Sequence, residues 1–208
     1  MTTTFLHAHP AKQERSQRNL ERIIQAAENV LSRDGWEAFT MKAVAEEADA
    51  SVGGIYRRFA NKEQLLRAIK DNVLNRADAM HRSIAVYQAK DLADAIEHYV
   101  RYRIEALTGY ADILKKILDA QQGDVVMHNR GRQSVQVGLR TFRSMVGPFR
   151  AEIRQADPEQ AVELAFYIFN ATVLRKVQGY PSETLFEHLD WELLKSELSL
   201  VLLRYLRG

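Results

Sequence analysis

The chain has no cysteine among its 208 residues, which excludes disulfides, thiolate metal sites and cysteine nucleophiles. That usage suits the cytoplasm, the expected compartment. No stretch reaches the roughly 18 apolar residues of a membrane span. The most apolar one, residues 161–174, is shorter and contains Glu163 and Asn170. The start, MTTTFLHAHPAKQERS, lacks the apolar run of a signal peptide, so no leader and no membrane contact are expected. The β-branched alternation of strands is missing, as are internal repeats and low-complexity segments. There is no His-x-x-x-His metal spacing, no phosphate-binding glycine loop and no serine nucleophile elbow, and His128 and His188 are scattered. The expectation is therefore a protein that is not an enzyme and holds neither metal nor cofactor. Charge of one sign is also scarce. The net value is +2; residues 1–76 hold 12 Lys and Arg against 10 Asp and Glu, and residues 77–208 hold 17 of each. Bulk electrostatics do not announce a nucleic-acid partner, so positive charge for DNA must be concentrated on one face.

What is present is helical periodicity over a chain with 46% hydrophobic residues, enough for one or two domains with a real core. The informative stretch is Thr40 to Lys62, TMKAVAEEADASVGGIYRRFANK. Met41, Val44, Ala45 and Ala48 recur at the spacing of one helix face, with Thr40 placed to cap its start. A second short pattern follows, with Ile55 and Phe59 inward and Ser51 as cap. Only a three- or four-residue turn fits between them. Helices this short need a third beneath them, and Ser16 to Arg33 supplies it through Leu20, Ile23, Ile24, Ala27, Val30 and Leu31. Gly35 sits where that helix should end, and Trp36 and Phe39 are expected to fill the corner as core. Residues 1–15 read as a flexible arm. Its His7 and His9 form a His-x-His pair, either a solvated tail or a metal or minor-groove contact. Lys12, Arg15 and Arg18 could add phosphate contacts.

The outward face of the second short helix carries Ser51, Val52, Gly53, Gly54, Tyr56, Arg57 and Arg58. Two glycines cost roughly 1 kcal/mol each in helix propensity but remove bulk, so the backbone can approach another surface closely. The aromatic hydroxyl and two guanidinium groups beside them suit phosphate oxygens and guanine edges. A smooth face followed by a charged one fits a DNA major groove, as in a helix-turn-helix.

These residues resemble the DNA-binding signature of TetR-type transcriptional regulators. The likeness rests on Thr40, Ala43-Val44-Ala45, Ala48, Ala50-Ser51, Gly53, Ile55-Tyr56, Phe59, Asn61-Lys62-Glu63 and Leu65-Leu66, and it covers about the first third of the chain. Asp49 stands where that family usually has a turn glycine, and Val52 and Gly54 stand where relatives often carry polar base-reading side chains. The resemblance implies an all-α fold, with a three-helix DNA-binding head (residues 16–76) and a larger ligand-binding and dimerisation body (residues 77–208). It implies a ligand-released repressor, bound as a homodimer to a palindromic double-stranded operator. Tyr56, Arg57 and Lys62 are assigned to phosphates, Val52, Gly53, Gly54 and Arg58 to bases, and Thr40 and Ser51 to phosphate through helix N-termini. The alternative is an all-helical interaction protein, or a sequence-independent DNA binder without an effector.

Farther on, Asn61 and Gln64 read as a capping box opening a helix that runs to Ile84 through Leu65, Leu66, Ile69, Val73, Ala77 and Met80, a rod able to transmit motion. Leu92–Leu107 is the next helix, with His98 on its outer face. Arg103 sits anomalously on the inner face, either snorkelling outward or facing a cavity. Ala111–Ala120 is short. A further helix ends near Val146, with Val135, Leu139, Phe142, Met145 and Phe149 inward and Gly147-Pro148 as interruption. Its stripe of Arg132, Gln136, Arg140 and Arg143, extended by Arg150 and Arg154, reads as a solvated face. The last two helices, from Asp157 to about Val177 and from Asp190 onward, are apolar on more than one side. A second copy of the chain would supply the missing cover as a four-helix bundle. Tyr99, Tyr102, Arg103, Phe142, Phe149, Phe166 and Asn170 are candidates for lining a small-molecule effector site, each also readable as plain core.

Overall fold

A computed structural model describes residues 8–120, 123–179 and 189–208, with side chains described from residue 13 onward. Among these, every regular element is a helix: α1 (Ala8–Ala38), α2 (Met41–Glu47), α3 (Val52–Tyr56), α4 (Lys62–Ile84), α5 (Leu92–Thr108), α6 (Ala111–Ala120), α7 (Val125–Val146), a 3-10 segment (Gly147–Glu152), α8 (Pro158–Gln178) and α9 (Trp191–Arg207). The all-α expectation holds. The chain divides into two compact units between Asn72 and Val73, inside α4.

The first unit is built as the apolar spacing requires. Ile23, Ala27, Val30 and Leu31 of α1 are buried, together with Met41, Val44, Ala45 and Ala48 of α2 and its turn, Ile55 of α3, and Phe59. Full burial of an Ile or Leu contributes about 1.5–3 kcal/mol, so this shared core fixes two helices too short to persist alone. Thr40 Oγ1 accepts from the Ala43 amide at 3.1 Å and caps α2; Ser51 Oγ does the same for α3 through Gly54 at 3.1 Å. The capping box at α4 is reciprocal: Asn61 Oδ1 accepts from the Gln64 amide, and Gln64 Oε1 accepts from the Ala60 amide, both at 2.9 Å. Asp49 closes the turn at φ 45°, a left-handed value that aspartate tolerates.

Three expectations are corrected in this unit. Residues 8–15, read as arm, continue α1, and the helix extends to Ala38 across a break at Gly35 (φ 75°). The second short helix ends at Tyr56, leaving Arg57 and Arg58 in the turn beyond it. Trp36 is half-buried rather than core, stacked on Phe39 at 5.7 Å. His7, the His9 and Lys12 side chains, Gln121-Gln122, Tyr180-Pro181 and His188 lie outside the described residues.

In the second unit α5 packs on α9 and α7, and α8 packs on α9, α7 and α6. Asp91, Asp124, Asp157 and Asp190 each cap the helix that follows them. The inward face of α7 differs from expectation. Val135 is exposed, whereas Ser134, Gly138 and Thr141 are buried with Met127 and Val146; Phe142 and Met145 face inward as expected. Small residues face inward because neighbouring side chains come close to the α7 backbone there. Phe149 is half-buried in the 3-10 segment. Arg132, Gln136 and Arg140 are solvated, Arg143 pairs with Glu163, and Arg150 pairs with Glu159 at 3.8 Å. No helix among the described residues is long and apolar enough to cross a membrane.

Candidate nucleic-acid interface and body site

The turn at Asp49 and the buried Ile55 and Phe59 point the opposite side of α3 into solvent. Val52 is 39% exposed and Tyr56 52%, and Ser51, Gly53, Arg57 and Arg58 are exposed with them. A Cβ placed on Gly53 would meet nothing within 4 Å, so nothing inside the protein demands glycine there. At Gly54 it would come 3.1 Å from the Ser51 hydroxyl that caps the helix, so that glycine also protects the cap.

The cationic groups around this face have distinct settings. Arg57 is solvated beyond the C-terminus of α3. The Arg58 guanidinium donates to the Ser16 carbonyl at 3.1 Å and its hydroxyl at 3.0 Å, which ties the end of the recognition segment to α1. Lys62 Nζ lies 4.1 Å above the Trp36 ring, a cation–π contact that steers the ammonium. Thr40 and Ser51 are exposed and use their oxygens as caps, leaving each O–H free to donate outward. Arg33 bridges Asp34 and Glu47, both at 2.9 Å, and its hydrogen bond with Glu47, followed by that from Asn29, holds the Glu47 carboxyl below its usual range. Sequence reasoning missed the Ser16–Arg58 and Trp36–Lys62 contacts, which join residues far apart in the chain.

In the body, Tyr99 and Phe142 are fully buried and Phe166 nearly so. The Tyr99 ring meets Phe142 at 4.9 Å and Phe169 at 5.4 Å, and Phe142 meets Phe166 at 6.1 Å. His81 of α4 is buried beside them, 6.4 Å from the Tyr99 ring centroid. Burial, then the nearby Arg103 charge, pushes its pKa down to about 3, so the ring is neutral. Burial pushes the Tyr99 hydroxyl up to about 12 against the opposing pull of Arg103; that hydroxyl donates to the Gly138 carbonyl at 3.4 Å. Arg103 turns inward: its Nε and Nη1 are out of solvent without an acceptor among the described residues, as is His81 Nδ1. Of the other candidates, Tyr102 shares a 2.7 Å hydrogen bond with Ser83, Asn170 is half-buried on α8, and Phe149 joins none of these ring contacts. Sequence reading overlooked His81, though it lies on the same stripe as Val73, Ala77 and Ile84. A separate surface groove of about 450 Å³ between α5 and α9 is lined by Glu97, Arg101, Lys195 and Leu200, among others, and shares no residue with the ring cluster.

An all-helical chain whose capped two-helix turn holds a glycine-smoothed, arginine-bearing segment outward is a helix-turn-helix DNA-binding transcriptional regulator. Residues 23–69 match the family model described as bacterial regulatory proteins, tetR family. The chain is 27% identical over 176 residues to the HTH-type transcriptional regulator YvkB of Bacillus subtilis, covering 81% of this chain and 91% of that one. It is 42% identical over 59 residues to the transcriptional repressor KstR of Mycolicibacterium smegmatis, covering 28% and 29%. Its fold is similar to that of the transcriptional regulator FadR of Bacillus subtilis, solved in complex with stearoyl-CoA, with a TM-score of 0.66 and 18% identity over 88% of this chain and 97% of that chain. The chain's DNA-binding region, residues 23–69, is thus that of the TetR family of transcriptional regulators.

Proposed function

We propose that the chain is a ligand-released repressor that binds a palindromic operator as a homodimer. One observation carries the DNA half of this reading: the exposed face of α3 has a glycine, Gly53, that no internal contact requires. In the proposed complex that face lies in the major groove, with Val52, Gly53 and Gly54 against base edges, and Tyr56, Arg57 and Lys62 on phosphates. Thr40 and Ser51 contribute hydroxyl donors to phosphate. Arg58 reaches the duplex only in competition with Ser16, so its share in base reading is smaller than that of Tyr56.

The proposed DNA-binding domain is residues 16–76, and the proposed ligand-binding and dimerisation domain is residues 77–208. Exposed apolar side chains on α8 (Leu164, Tyr167) and α9 (Leu193, Leu200, Val201) support pairing with a second copy through these two helices. The inward guanidinium beside an aromatic cluster supports an effector site in the body, and the stearoyl-CoA bound by the Bacillus subtilis regulator is in keeping with an effector. Such an effector must bind the released state better than the DNA-bound one.

The test is selection of bound duplexes from a random pool, followed by binding assays on the winning sequence. A palindrome is expected, with half-sites about one turn (~34 Å) or a multiple apart. Tyr56→Ala and Lys62→Ala should each weaken binding by roughly 1–3 kcal/mol while the helical content is unchanged. Equal affinity for selected and random duplex, with a steep salt dependence, would replace this reading with sequence-independent binding.

A further inference from the structure

A guanidinium cannot shed its charge inside a protein, so a buried one requires an anion or a full set of acceptors. Arg103 is half-buried and hydrogen-bonds the Tyr99 hydroxyl, but its Nε and Nη1 are out of solvent and without an acceptor among the described residues. Two carboxylates one turn from His81 and from Phe166 are committed elsewhere. Asp78, one turn before His81 on α4, accepts from Arg130 at 2.9 Å and from Ser134 at 2.6 Å. Glu163, one turn before Phe166 on α8, is paired with Arg143. His81 offers a second polar atom, Nδ1, without a partner. Both members of this polar pair lie beside Tyr99, whose ring meets Phe142 and Phe169, and Phe142 in turn meets Phe166.

We propose that Arg103 and His81 form the polar end of an internal site for a monocarboxylic acid whose apolar body lies against the aromatic cluster. A carboxylate supplies the acceptors that Arg103 lacks, and one negative charge balances one guanidinium. A phosphate dianion would leave an excess charge in an apolar surrounding. His81 completes the site through its unpartnered nitrogen. A neutral imidazole there presents a donor or an acceptor without adding a second cation. This inference rests on the ligand-released reading above and names the chemical class of the effector.

The experiment uses the full-length protein with decanoate and 4-phenylbutyrate, the methyl ester of each, and inorganic phosphate. Binding is followed by calorimetry, and operator release by anisotropy of a labelled duplex. At least one acid should bind the wild type about tenfold or more tighter than its ester, a preference worth about 1.4 kcal/mol or more. Arg103→Met should lose that preference while retaining operator binding. Arg103→Lys, which keeps the charge, should retain it with weaker affinity, and this decides the matter if the methionine variant fails to fold. Equal binding of acid and ester, binding of neither acid, an undiminished acid preference in Arg103→Met, or displacement of the acid by phosphate would each overturn the proposal. Release of the operator by ester and acid alike would sink the anionic site and leave ligand release standing. Tight, Arg103-dependent acid binding without release would do the reverse.

Discussion

At Gly53 the helix forgoes a side chain that its own surroundings would accept. Alanine there should stabilise an exposed helical position by up to about 1 kcal/mol, since a Cβ meets no atom of the protein. The same methyl group would hold the α3 backbone off a surface pressed against it. Gly53→Ala is therefore expected to melt at the same temperature as the wild type or higher, yet bind the selected operator at least about tenfold more weakly. Unchanged operator affinity would place this face off the duplex. Gly54 is a poorer probe, because alanine there also crowds the Ser51 cap. Much of this site was legible in the sequence, since caps, turn residues and the Ile55/Phe59 pair act within a few residues. Arg58 was not. Its bonds to Ser16 cross 42 positions, and no local pattern encodes such a partner.

At the scale of a helix, α7 shows why hydrophobicity alone misplaced an inward face. Val135 looks like a core residue, but the positions that face inward beside Phe142 and Met145 include Ser134, Gly138 and Thr141, all small. A Cβ on Gly138 would stand 2.9 Å from His81 Cε1, 3.1 Å from its Nε2 and 3.2 Å from Phe166 Cζ. Gly138→Ala should thus destabilise the body by about 1–3 kcal/mol through overpacking, read by chemical denaturation. His81 adds a pH dependence of definite sign. Its folded pKa, about 3, lies below the ordinary 6.5 because burial, and then Arg103, disfavours the charged ring. The unfolded chain therefore binds the proton more readily. The associated stability is present above pH 6.5 and is lost as the pH falls from there toward 3. Denaturation midpoints of His81→Gln should decline less steeply than those of the wild type over that window. Parallel declines would show that the imidazole is not held neutral. By contrast, the starts of α4 and α8 and the break between α5 and α6 could be read almost to the residue, because Asn61, Asp157-Pro158 and Gly109 mark them chemically.

For the whole molecule, the unresolved matter in any single copy is the apolar surface left on its last two helices. Tyr167 is 68% exposed and Val201 47%, with Leu164, Leu193 and Leu200 also in solvent. On α8, Leu164 and Tyr167 stand three apart; on α9, Leu193 and Leu200 stand seven apart, so each helix carries a stripe rather than scattered residues. Exposed stripes of this kind on adjacent packed helices are what an isologous interface covers. A charge placed there should disrupt association without touching the interior, since Leu194, Leu198, Leu202 and Leu206 supply the core face of α9. Tyr167→Glu combined with Val201→Arg is expected to halve the mass found by light scattering while leaving the helical circular dichroism signal intact. Operator affinity should then fall by about a hundredfold or more, because two heads joined in one particle bind the second half-site at an effective concentration that separate heads lack. Binding to a single half-site should be unaffected. A wild-type protein that scatters as a monomer, or a double variant that keeps full operator affinity, would mean that these stripes serve some contact other than the one that brings two heads to one duplex.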